Sequence, residues 1–369
     1  MNIAERKQRY EAIEQHRDRP LIVYATSTRL NVQAMMAGDA VRQFIDQIDA
    51  VPQTSASVDV LIHSTGGDAL TAWKLMSLLR ERFTNVAVLV PFSAFSAATV
   101  FAMGADEIVM HPHASLGPID PQIQIGLPDG SRRQFAFEDV GAFLRFVSGE
   151  AHLTEQAHVG SVIDHLLRVV DPVHIGAAKR ASELSTDIGE RLLHTHMIGE
   201  SEKSRARAIA ESLNKKFFAH GDAVSRSRAR DLNLKVAAPD VTLEKLLWSA
   251  FEGIEEYMEL RDPWNPLHHF QRNGGAAALV PSAPVNLPAN APPQLVQQVW
   301  QQVMNNVMQS TAQQGIQVDY SIINAVVESS RTASEHRTEG ALSAVRVVGG
   351  DVQLSAVERS ARWVDVPLT

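Results

Sequence analysis

Residues 58–122 read VDVLIHSTGGDALTAWKLMSLLRERFTNVAVLVPFSAFSAATVFAMGADEIVMHPHASLGPIDPQ. This stretch contains three short apolar runs, over residues 58–62, 86–90 and 108–110, and helical patterns lie between them. Short continuous apolar runs that alternate with helices are typical of parallel strands that are covered on both faces. The sequence therefore predicts an α/β fold in which this stretch forms the centre of a parallel sheet.

Small residues follow the first two predicted strands, at the points where a helix is expected to begin. Gly66 and Gly67 come after the first strand, and Ser96 comes after the second. Backbone N–H groups at a helix start lack acceptors and can bind an anion. We therefore predict that Ser96 is a nucleophile facing an oxyanion hole, with the N–H groups of Gly67 and Ala97 as donors and Gly66 beside them. Ser93 is the alternative nucleophile.

Composition limits the class of protein. A chain of 369 residues is long enough for roughly two domains at about 150 residues each. The net charge of −8 argues against a nucleic-acid partner. The absence of Cys excludes disulfides, thiol nucleophiles and thiolate metal sites.

The charged first 20 residues resemble neither a signal peptide nor an anchor, and no apolar segment approaches the ~20 residues of a membrane span. We therefore expect a cytoplasmic protein.

The composition changes near residue 271, which predicts a division of the chain. Residues 1–270 form the catalytic domain in this interpretation, and residues 271–293, rich in Ala, Pro and Gly, form a linker. Residues 294–369 are predicted to be a small α+β module for docking or self-association. Its expected parts are helices over 294–310 and 320–330 and a hairpin that turns at Gly349-Gly350.

The sequence gives no pattern for a metal or a cofactor. Fourteen His residues are present, and His111 with His113 and His194 with His196 are the obvious pairs. Neither pair has the spacing of a zinc-binding HExxH motif, and no carboxylates are spaced as ligands beside them. No glycine pattern for nucleotide phosphates occurs either, so we expect neither a metal nor a cofactor.

Four motifs together, HSTGG, AFSAA, GADEIVM and LGPIDPQ, resemble the serine dehydrogenase proteinase family. This family belongs to the Clp-protease/crotonase superfamily and is related to signal peptide peptidase A. The resemblance is dense over residues 58–122 and extends in outline over 20–260. It implies a spiral of repeated β-β-α units, hydrolysis of polypeptide substrates and assembly into a homo-oligomer. The sequence itself shows no motif that predicts a use of ATP.

The resemblance also selects the nucleophile. In Clp-type peptidases the catalytic Ser follows the second Gly of the turn by about 29 residues, and Ser96 stands 29 positions after Gly67. This spacing favours Ser96 over Ser93. The chain departs from the family pattern at Thr65, where Pro is usual, and at Ala98, where Gly is usual.

The general base has no residue in the family's usual position. The Clp-type His would fall on Pro121, beside Asp120, whereas the Clp-type Asp would fall on Gly221, next to His220. We therefore predict a triad in which the two roles are exchanged along the chain. Ser96 attacks, His220 takes its proton, and Asp120 orients the imidazole, since a triad is defined by roles and geometry rather than by chain order.

Other bases remain open. Signal peptide peptidase A and its relatives use a Lys, and Lys179 is the only Lys between residues 75 and 202. A lysine base requires burial that lowers its pKa. His111 and His113 are the nearest His residues after Ser96. Two other functions share the implied fold: a crotonase-type acyl-CoA enzyme, which needs no nucleophile at Ser96, and a non-catalytic oligomeric scaffold.

Overall fold

The computed structural model describes residues 2–126, 130–215, 221–275, 291–302, 317–346 and 352–368. The strands are β1 (Leu21–Thr26), β2 (Ser57–His63), β3 (Asn85–Val90), β4 (Ser93–Ala94), β5 (Glu107–Met110), β6 (Ser115–Leu116), β7 (Gln122–Gly126), β8 (Arg132–Ala136), β9 (Val224–Ser225), β10 (Val236–Ala237), β11 (Gln317–Glu328), β12 (Ala333–Arg346) and β13 (Val352–Asp365). The α-helices are α1 (Ile3–Arg17), α2 (Val41–Ala50), α3 (Ala69–Arg82), α4 (Ala97–Met103), α5 (Phe137–Arg145), α6 (Gln156–Val169), α7 (Pro172–Leu193), α8 (Glu200–Lys215), α9 (Arg226–Asp231), α10 (Val241–Tyr257) and α11 (Pro266–Phe270).

The main sheet has eight strands in the order β10-β5-β3-β2-β1-β11-β12-β13. The first five run parallel, and β11 pairs antiparallel with β1. The apolar runs at 58–62, 86–90 and 108–110 are the cores of β2, β3 and β5, so the predicted α/β class is confirmed. Their side chains are buried on both faces, which explains why the runs are continuous rather than alternating.

Helices cover both faces of the parallel part of the sheet. The larger core lies between the sheet and the helices α2, α3, α4, α7 and α8, and it includes Phe44, Leu75 and Phe101. The smaller core lies on the opposite face, where Tyr10 of α1 and Leu247 of α10 pack on the strands. None of the helices in the described ranges is long and apolar enough to cross a membrane.

A second, three-stranded sheet stands at the carboxyl ends of the parallel strands, in the order β4-β6-β9. The long strand β3 leads into the short strand β4 and then into α4, which is the β-β-α unit that the resemblance implies. Ser64, directly after β2, bridges to Ala94 of β4. The residues that follow β2, β3 and β5 are thereby brought to one edge of the main sheet.

The C-terminal strands correct one prediction of secondary structure. Residues 320–330 were expected to form a helix, but they lie mainly in β11, which pairs with β1 on one side and β12 on the other. Val326 and Val327 of β11 point into the two cores on opposite faces of the sheet. Pairing with a buried strand outweighs the local helical pattern, because β-branched residues suit a half-buried strand.

A second correction concerns the segment before α2. The sequence of residues 30–48 predicts a helix, but the chain first forms an irregular segment that leads into a 3₁₀ turn, Gly38–Ala40, and α2 begins only at Val41. Met36 in this segment forms a β-bridge with Gly67, and this contact keeps the backbone extended. Met36 therefore packs on the Gly66-Gly67 turn instead of belonging to a longer helix.

Parts of the predicted C-terminal division lie outside the described residues, namely most of the linker 271–293 and the turn at Gly349-Gly350. The part of the segment 294–310 that is described continues a helix over 293–302. The sequence of residues 126–134 predicts an exposed hairpin or flap, and strands β7 and β8, which include residues 126 and 132–134, pair antiparallel. The division into domains stays a prediction, although the described strands of the last segment are hydrogen-bonded to the main sheet.

Candidate active site

Ser96 occupies a sharp backbone bend between β4 and α4. Its φ of 51° and ψ of −118° lie in a region that residues with a side chain rarely adopt. Such a conformation costs roughly 1–3 kcal/mol and persists only where the surrounding structure imposes it. Ser96 is the N-cap residue of α4, yet its side chain makes no capping hydrogen bond. The hydroxyl is therefore held at a helix start without being used by the helix.

The Gly66-Gly67 turn lies directly against this bend. Both glycines have positive φ, +106° and +147°. A Cβ on Gly66 would stand 2.5 Å from Ser96 Cβ and 3.0 Å from the amide nitrogen of Ala97. A Cβ on Gly67 would stand 2.2 Å from the carbonyl oxygen of Met36. The close approach of three backbone segments therefore requires glycine at both positions.

Hydrogen bonds fix the turn from two sides. The Met36 N–H donates to the Gly66 carbonyl at 2.7 Å, and the Asp68 N–H donates to the Met36 carbonyl at 2.9 Å. The Ser64 hydroxyl accepts the Gly66 N–H at 3.0 Å and also accepts the Thr26 hydroxyl at 2.8 Å. These contacts make the turn a rigid element rather than a free loop.

The same residues join the turn to the Ser96 bend. The Ser64 N–H donates to the Ser93 carbonyl at 2.9 Å, and the Phe95 N–H donates to the Ser64 carbonyl at 3.0 Å. Because both bonds attach to the residues directly before Ser96, backbone pairing sets the distance between Gly66 and Ser96. Ser93 takes part through its backbone as a member of β4.

Two amides of the site have no acceptor in the described part of the chain. These are the N–H groups of Gly67 and Ala97, whereas the Gly66 N–H is bound by Ser64. The first N–H groups of a helix have no partner within the helix, which explains Ala97. Two free N–H groups beside a serine hydroxyl can stabilise an oxyanion that forms on an attacked carbonyl.

A loop over residues 116–121 packs on the other side of the bend. The Thr99 hydroxyl donates to the Ala94 or the Gly117 carbonyl, at 2.7 and 3.0 Å, and accepts the Gly117 N–H at 3.0 Å. The Ile119 carbonyl accepts the Ser185 hydroxyl at 2.6 Å. The loop is therefore tied both to α4 and to α7.

Asp120 extends from this tied loop and is partly exposed. Its carboxylate accepts a hydrogen bond from the Gln122 side chain at 2.8 Å. His220, its predicted partner, lies outside the described residues. The chain that follows returns to the site, because Val224 of β9 pairs with Leu116 of β6, and Leu116 in turn pairs with Ala94 of β4. The pairing of Asp120 with His220 stays a prediction.

Within the described residues, no hydrogen bond or ion pair joins Ser96 to any of the other base candidates. Lys179 is an exposed side chain on α7 and forms an ion pair with Glu183 at 3.7 Å. This lysine is not buried, whereas a lysine base requires desolvation by burial. Its packing is that of an ordinary surface residue.

His111 and His113 lie on the opposite face of the sheet from α4. Both rings contact Trp248 of α10, with ring centroids 5.3 and 5.0 Å apart. The His111 Nδ1 accepts the His113 backbone N–H at 3.1 Å. Burial, together with the charge of His113, lowers the pKa of His111. Their neighbour Met110 points into the core beneath α4, which explains why the next residue faces away from Ser96.

Three residues near the site are missing from the sequence prediction. The Ser64 hydroxyl holds the Gly66-Gly67 turn, and the Thr99 hydroxyl holds the loop over residues 116–121. In the sequence, only the position of Ser64 after a strand and of Thr99 near a helix start indicated these roles. His63 is the third. Its ring is fully buried between Phe92 and Phe251, and burial lowers its pKa to about 4. Within the described ranges, no group of three or more His, Cys, Asp or Glu side chains stands close enough to hold a metal.

Comparison with known proteins gives matches to part of the chain. Two uncharacterised proteins of Methanocaldococcus jannaschii, MJ1495 and MJ0137, are 39% identical over 66 residues and 36% identical over 81 residues. These matches cover 18% and 22% of this chain. The chain spans only about a quarter of the length of these relatives, 23% and 28%.

Solved structures of low sequence identity are also similar. A mutant of the 1510-N membrane-bound stomatin-specific protease in complex with a substrate peptide is 16% identical and has a TM-score of 0.37, with 61% of this chain and 78% of that chain covered. ClpP1 from Listeria monocytogenes is 11% identical and has a TM-score of 0.33, with 62% and 95% covered.

The family comparison covers the site itself. Residues 16–132 match the model of the ClpP-like SDH-type serine proteinases. The matched segment contains the Gly66-Gly67 turn, the Ser96 bend and the loop of Asp120. Residues 16–132 are therefore similar to the ClpP-like SDH-type serine proteinases, in agreement with the resemblance that the motifs predicted.

Proposed function

We propose that this protein is a serine peptidase that hydrolyses polypeptides with Ser96 as its nucleophile. The observation that carries the proposal is the backbone of Ser96, whose φ of 51° holds an unbonded hydroxyl beside the Gly66-Gly67 turn. A strained turn between a strand and a helix is a recurrent way to expose a nucleophilic serine. The family of residues 16–132 supports the same chemistry.

The reaction follows from the groups at the bend. The Ser96 Oγ attacks the carbonyl carbon of the scissile peptide bond while its proton passes to the base. The N–H groups of Gly67 and Ala97 bind the resulting oxyanion, each worth about 10²–10³ in rate. The intermediate then collapses, the C–N bond breaks, and the leaving amine takes the proton. Water hydrolyses the acyl ester, which releases the second product as a carboxylic acid and restores the serine.

For the base we propose His220, with Asp120 as the residue that orients it. Two facts support this choice over Lys179. The carboxylate of Asp120 extends from a loop that is hydrogen-bonded to α4 and α7. Strand β9, which follows His220 closely in the chain, is separated from β4 only by β6. The lysine, in contrast, is exposed and paired with Glu183.

A fluorophosphonate probe tests the nucleophile. We expect the wild-type protein to be labelled and to cleave an unstructured protein such as casein, and we expect Ser96→Ala to lose both activities. Ser93→Ala is the matched control, because Ser93 contributes through its backbone, and it should keep labelling. Labelling that survives Ser96→Ala, or its absence from a well-folded wild-type protein, would contradict the proposal.

The base is tested by three alanine variants measured side by side. His220→Ala should lower kcat for peptide cleavage by roughly 10³–10⁴, as loss of a triad member does. Lys179→Ala should change it little. His158→Ala is the control for loss of a histidine, because its side chain is exposed and contacts only Glu155 in the described structure. A large loss in Lys179→Ala with an active His220→Ala would overturn the assignment.

A further inference from the structure

Four buried polar side chains lie where α7 packs on α8. They are Ser182, Ser185 and Thr186 of α7 and Asn214 of α8, and each is at most 5% exposed. A buried polar group costs free energy unless it is hydrogen-bonded, so helix interfaces are mostly apolar. The reaction at Ser96 uses none of the four directly, which leaves their role in the molecule to be explained.

The Asn214 side chain holds α8 against one turn of α7. Its Nδ2 donates to the Ser182 carbonyl and to the Thr186 hydroxyl, both at 2.9 Å. Its Oδ1 accepts the Ser182 hydroxyl at 3.0 Å. The amide is therefore bonded through both its nitrogen and its oxygen to the two residues that bracket Ser185, and it fixes the turn of α7 that carries this serine.

Ser185 connects this turn of α7 to the loop over residues 116–121. Its hydroxyl donates to the Ile119 carbonyl at 2.6 Å. That carbonyl belongs to the peptide unit whose nitrogen is the amide of Asp120, and a peptide unit is planar. The hydrogen bond from Ser185 therefore fixes the plane from which the Cα atom of Asp120 extends.

Helix α8 holds Ile119 as well. The Ile119 N–H donates to the Leu213 carbonyl at 3.0 Å. This carbonyl lies in the last turn of α8, where carbonyl groups lack a partner within the helix. The Ile119 side chain is 1% exposed, and an added Cβ on Gly189 of α7 would stand 3.4 Å from its Cδ1. Both backbone polar groups of Ile119 and its side chain are therefore held between α7 and α8.

The residues after Asp120 limit it from the other side. Pro121 restricts the backbone of the residue before it to extended conformations. The Asp120 carboxylate accepts a hydrogen bond from the Gln122 side chain at 2.8 Å. A partly exposed aspartate in a surface turn does not need such restraint for folding, whereas a group that must meet a reacting partner does.

We propose that Ser185 and Asn214 are positioning residues for peptide hydrolysis, which act by holding the backbone of Asp120. The inference rests on the proposed function, in which Asp120 orients the base. Both side chains are at most 3% exposed, so neither can touch a substrate. A displacement of about 1 Å in a catalytic group costs on the order of 10² in rate, so we expect their loss to reduce the rate of the chemical step.

Steady-state cleavage of a fluorogenic peptide tests Ser185. We expect Ser185→Ala to lower kcat about 10²-fold and to change KM by less than about twofold, because the substrate-binding surface stays intact. Ser77→Ala is the matched control, because the Ser77 hydroxyl of α3 also donates to a backbone carbonyl, that of Trp73. This control should keep kcat within about twofold of the wild-type value.

Asn214→Ala tests the contact between the two helices. We expect it to lower kcat in the same way as Ser185→Ala, because the turn of α7 that carries Ser185 is then no longer fixed. Thermal unfolding verifies that each variant is folded under the assay conditions. Ser185→Ala remains the decisive variant if Asn214→Ala does not fold.

A double-mutant cycle separates positioning of Asp120 from a general loss of stability. Asp120→Asn alone should lower kcat by roughly 10³–10⁴. In this background Ser185→Ala should cause less than about threefold further loss, because the group through which it acts is already removed. Equal losses in the two backgrounds would show that Ser185 only supports the fold. That result, or a wild-type kcat in Ser185→Ala, would overturn the inference.

The same variants distinguish a failure of this inference from a failure of the proposed function. Cleavage that survives Ser96→Ala contradicts the nucleophile and therefore both. A loss of less than about tenfold in Asp120→Asn contradicts the role of Asp120, and the positioning of this residue by α7 then has no catalytic meaning. When both variants lose activity as expected, the result for Ser185→Ala decides the inference alone.

Discussion

Gly66 has no room for a side chain next to the nucleophile. An added Cβ would lie 2.5 Å from Ser96 Cβ and 2.6 Å from the Phe95 carbonyl oxygen. We expect Gly66→Ala to displace the bend and to lower kcat/KM for peptide cleavage by roughly 10²-fold, the order of loss that a misplacement of about 1 Å produces. Positive φ adds a loss of stability of about 1–3 kcal/mol.

The matched control for this prediction is Gly130→Ala. Gly130 also has a positive φ, +81°, but an added Cβ would meet nothing within 4 Å. This variant carries the backbone strain without the contact, so its stability should fall while kcat/KM stays close to the wild-type value. Equal activity in the two alanine variants would show that the closeness of Gly66 to Ser96 is not required for catalysis.

Burial of the His63 ring makes the free energy of unfolding depend on pH. Its ring is fully buried, and burial lowers its pKa to about 4 from 6.5. A group whose folded pKa is lowered stabilises the fold above its unfolded pKa, and that contribution is lost as the pH falls from 6.5 toward 4. We expect this loss to reach about 3 kcal/mol at pH 4, since one unit is worth about 1.36 kcal/mol.

Urea unfolding at pH 7 and pH 4 measures this effect. His63→Phe keeps an aromatic ring between Phe92 and Phe251 and removes the titrating group. Its unfolding free energy should fall less than that of the wild-type protein between the two pH values, by about 3 kcal/mol. Equal losses in the two proteins would rule out His63 as a source of acid sensitivity.

At the scale of elements, a buried ion pair joins the first helix to a C-terminal strand. Arg6 of α1 and Glu328 of β11 are each about 1% exposed and form two hydrogen bonds of 2.9 and 2.8 Å. Burial alone would lower the pKa of the Arg6 guanidinium, but the hydrogen bond and charge of Glu328 raise it. Tyr10 also donates its hydroxyl to this carboxylate at 2.5 Å.

Glu328→Ala should therefore be strongly destabilising. Removing one partner leaves a buried charge unpaired, which typically costs about 3–5 kcal/mol. Lys7→Ala is the control, because Lys7 lies on the same helix and its ion pair with Glu11 is exposed and 4.0 Å long. Thermal or urea unfolding should give a loss of less than about 1 kcal/mol for this variant. Similar losses in both variants would contradict the assigned role of the buried pair.

The elements that could be predicted are those whose pattern is local. β2, β3 and β5 follow from continuous apolar runs, and α10 follows from its amphipathic spacing. β11 could not be predicted in this way, because its strand conformation depends on β1, which lies nearly 300 residues earlier in the chain. The irregular segment before α2 likewise depends on the bridge of Met36 to Gly67.

The same distinction applies to the site. The positions of Ser96, Gly66 and Gly67 at the sheet edge could be predicted, because each follows a strand end and stands among small residues, whereas their catalytic roles stay a prediction. The face to which a histidine points depends on strand register and on what packs above it, so His111 could not be separated from the other base candidates by sequence. The role of the Ser64 hydroxyl also depends on a contact from another strand, through Thr26.

At the scale of the whole molecule, the C-terminal strands complete the sheet. The residues of β1 are buried throughout, and β11 supplies the neighbour on one edge of this strand. The Gln47 side chain of α2 donates hydrogen bonds to the carbonyls of Val327 and Thr332. These two hydrogen bonds connect the C-terminal strands to a helix of the larger core. An independent module after a linker would not need such contacts.

A chain that ends at residue 302 distinguishes these two arrangements. We expect it to aggregate or to fold poorly, because β1 becomes an apolar edge strand and Arg6 loses its partner. A chain that ends at residue 346 is the control, because of the described strands it lacks only β13, whose described side chains are largely exposed. We expect this chain to stay soluble and to keep its circular dichroism spectrum, with a lower melting temperature. Soluble expression, gel filtration and fluorophosphonate labelling measure the outcome. If the chain that ends at residue 302 were monodisperse and labelled at Ser96, residues 1–270 would form an autonomous domain and the C-terminal strands would be dispensable for its fold.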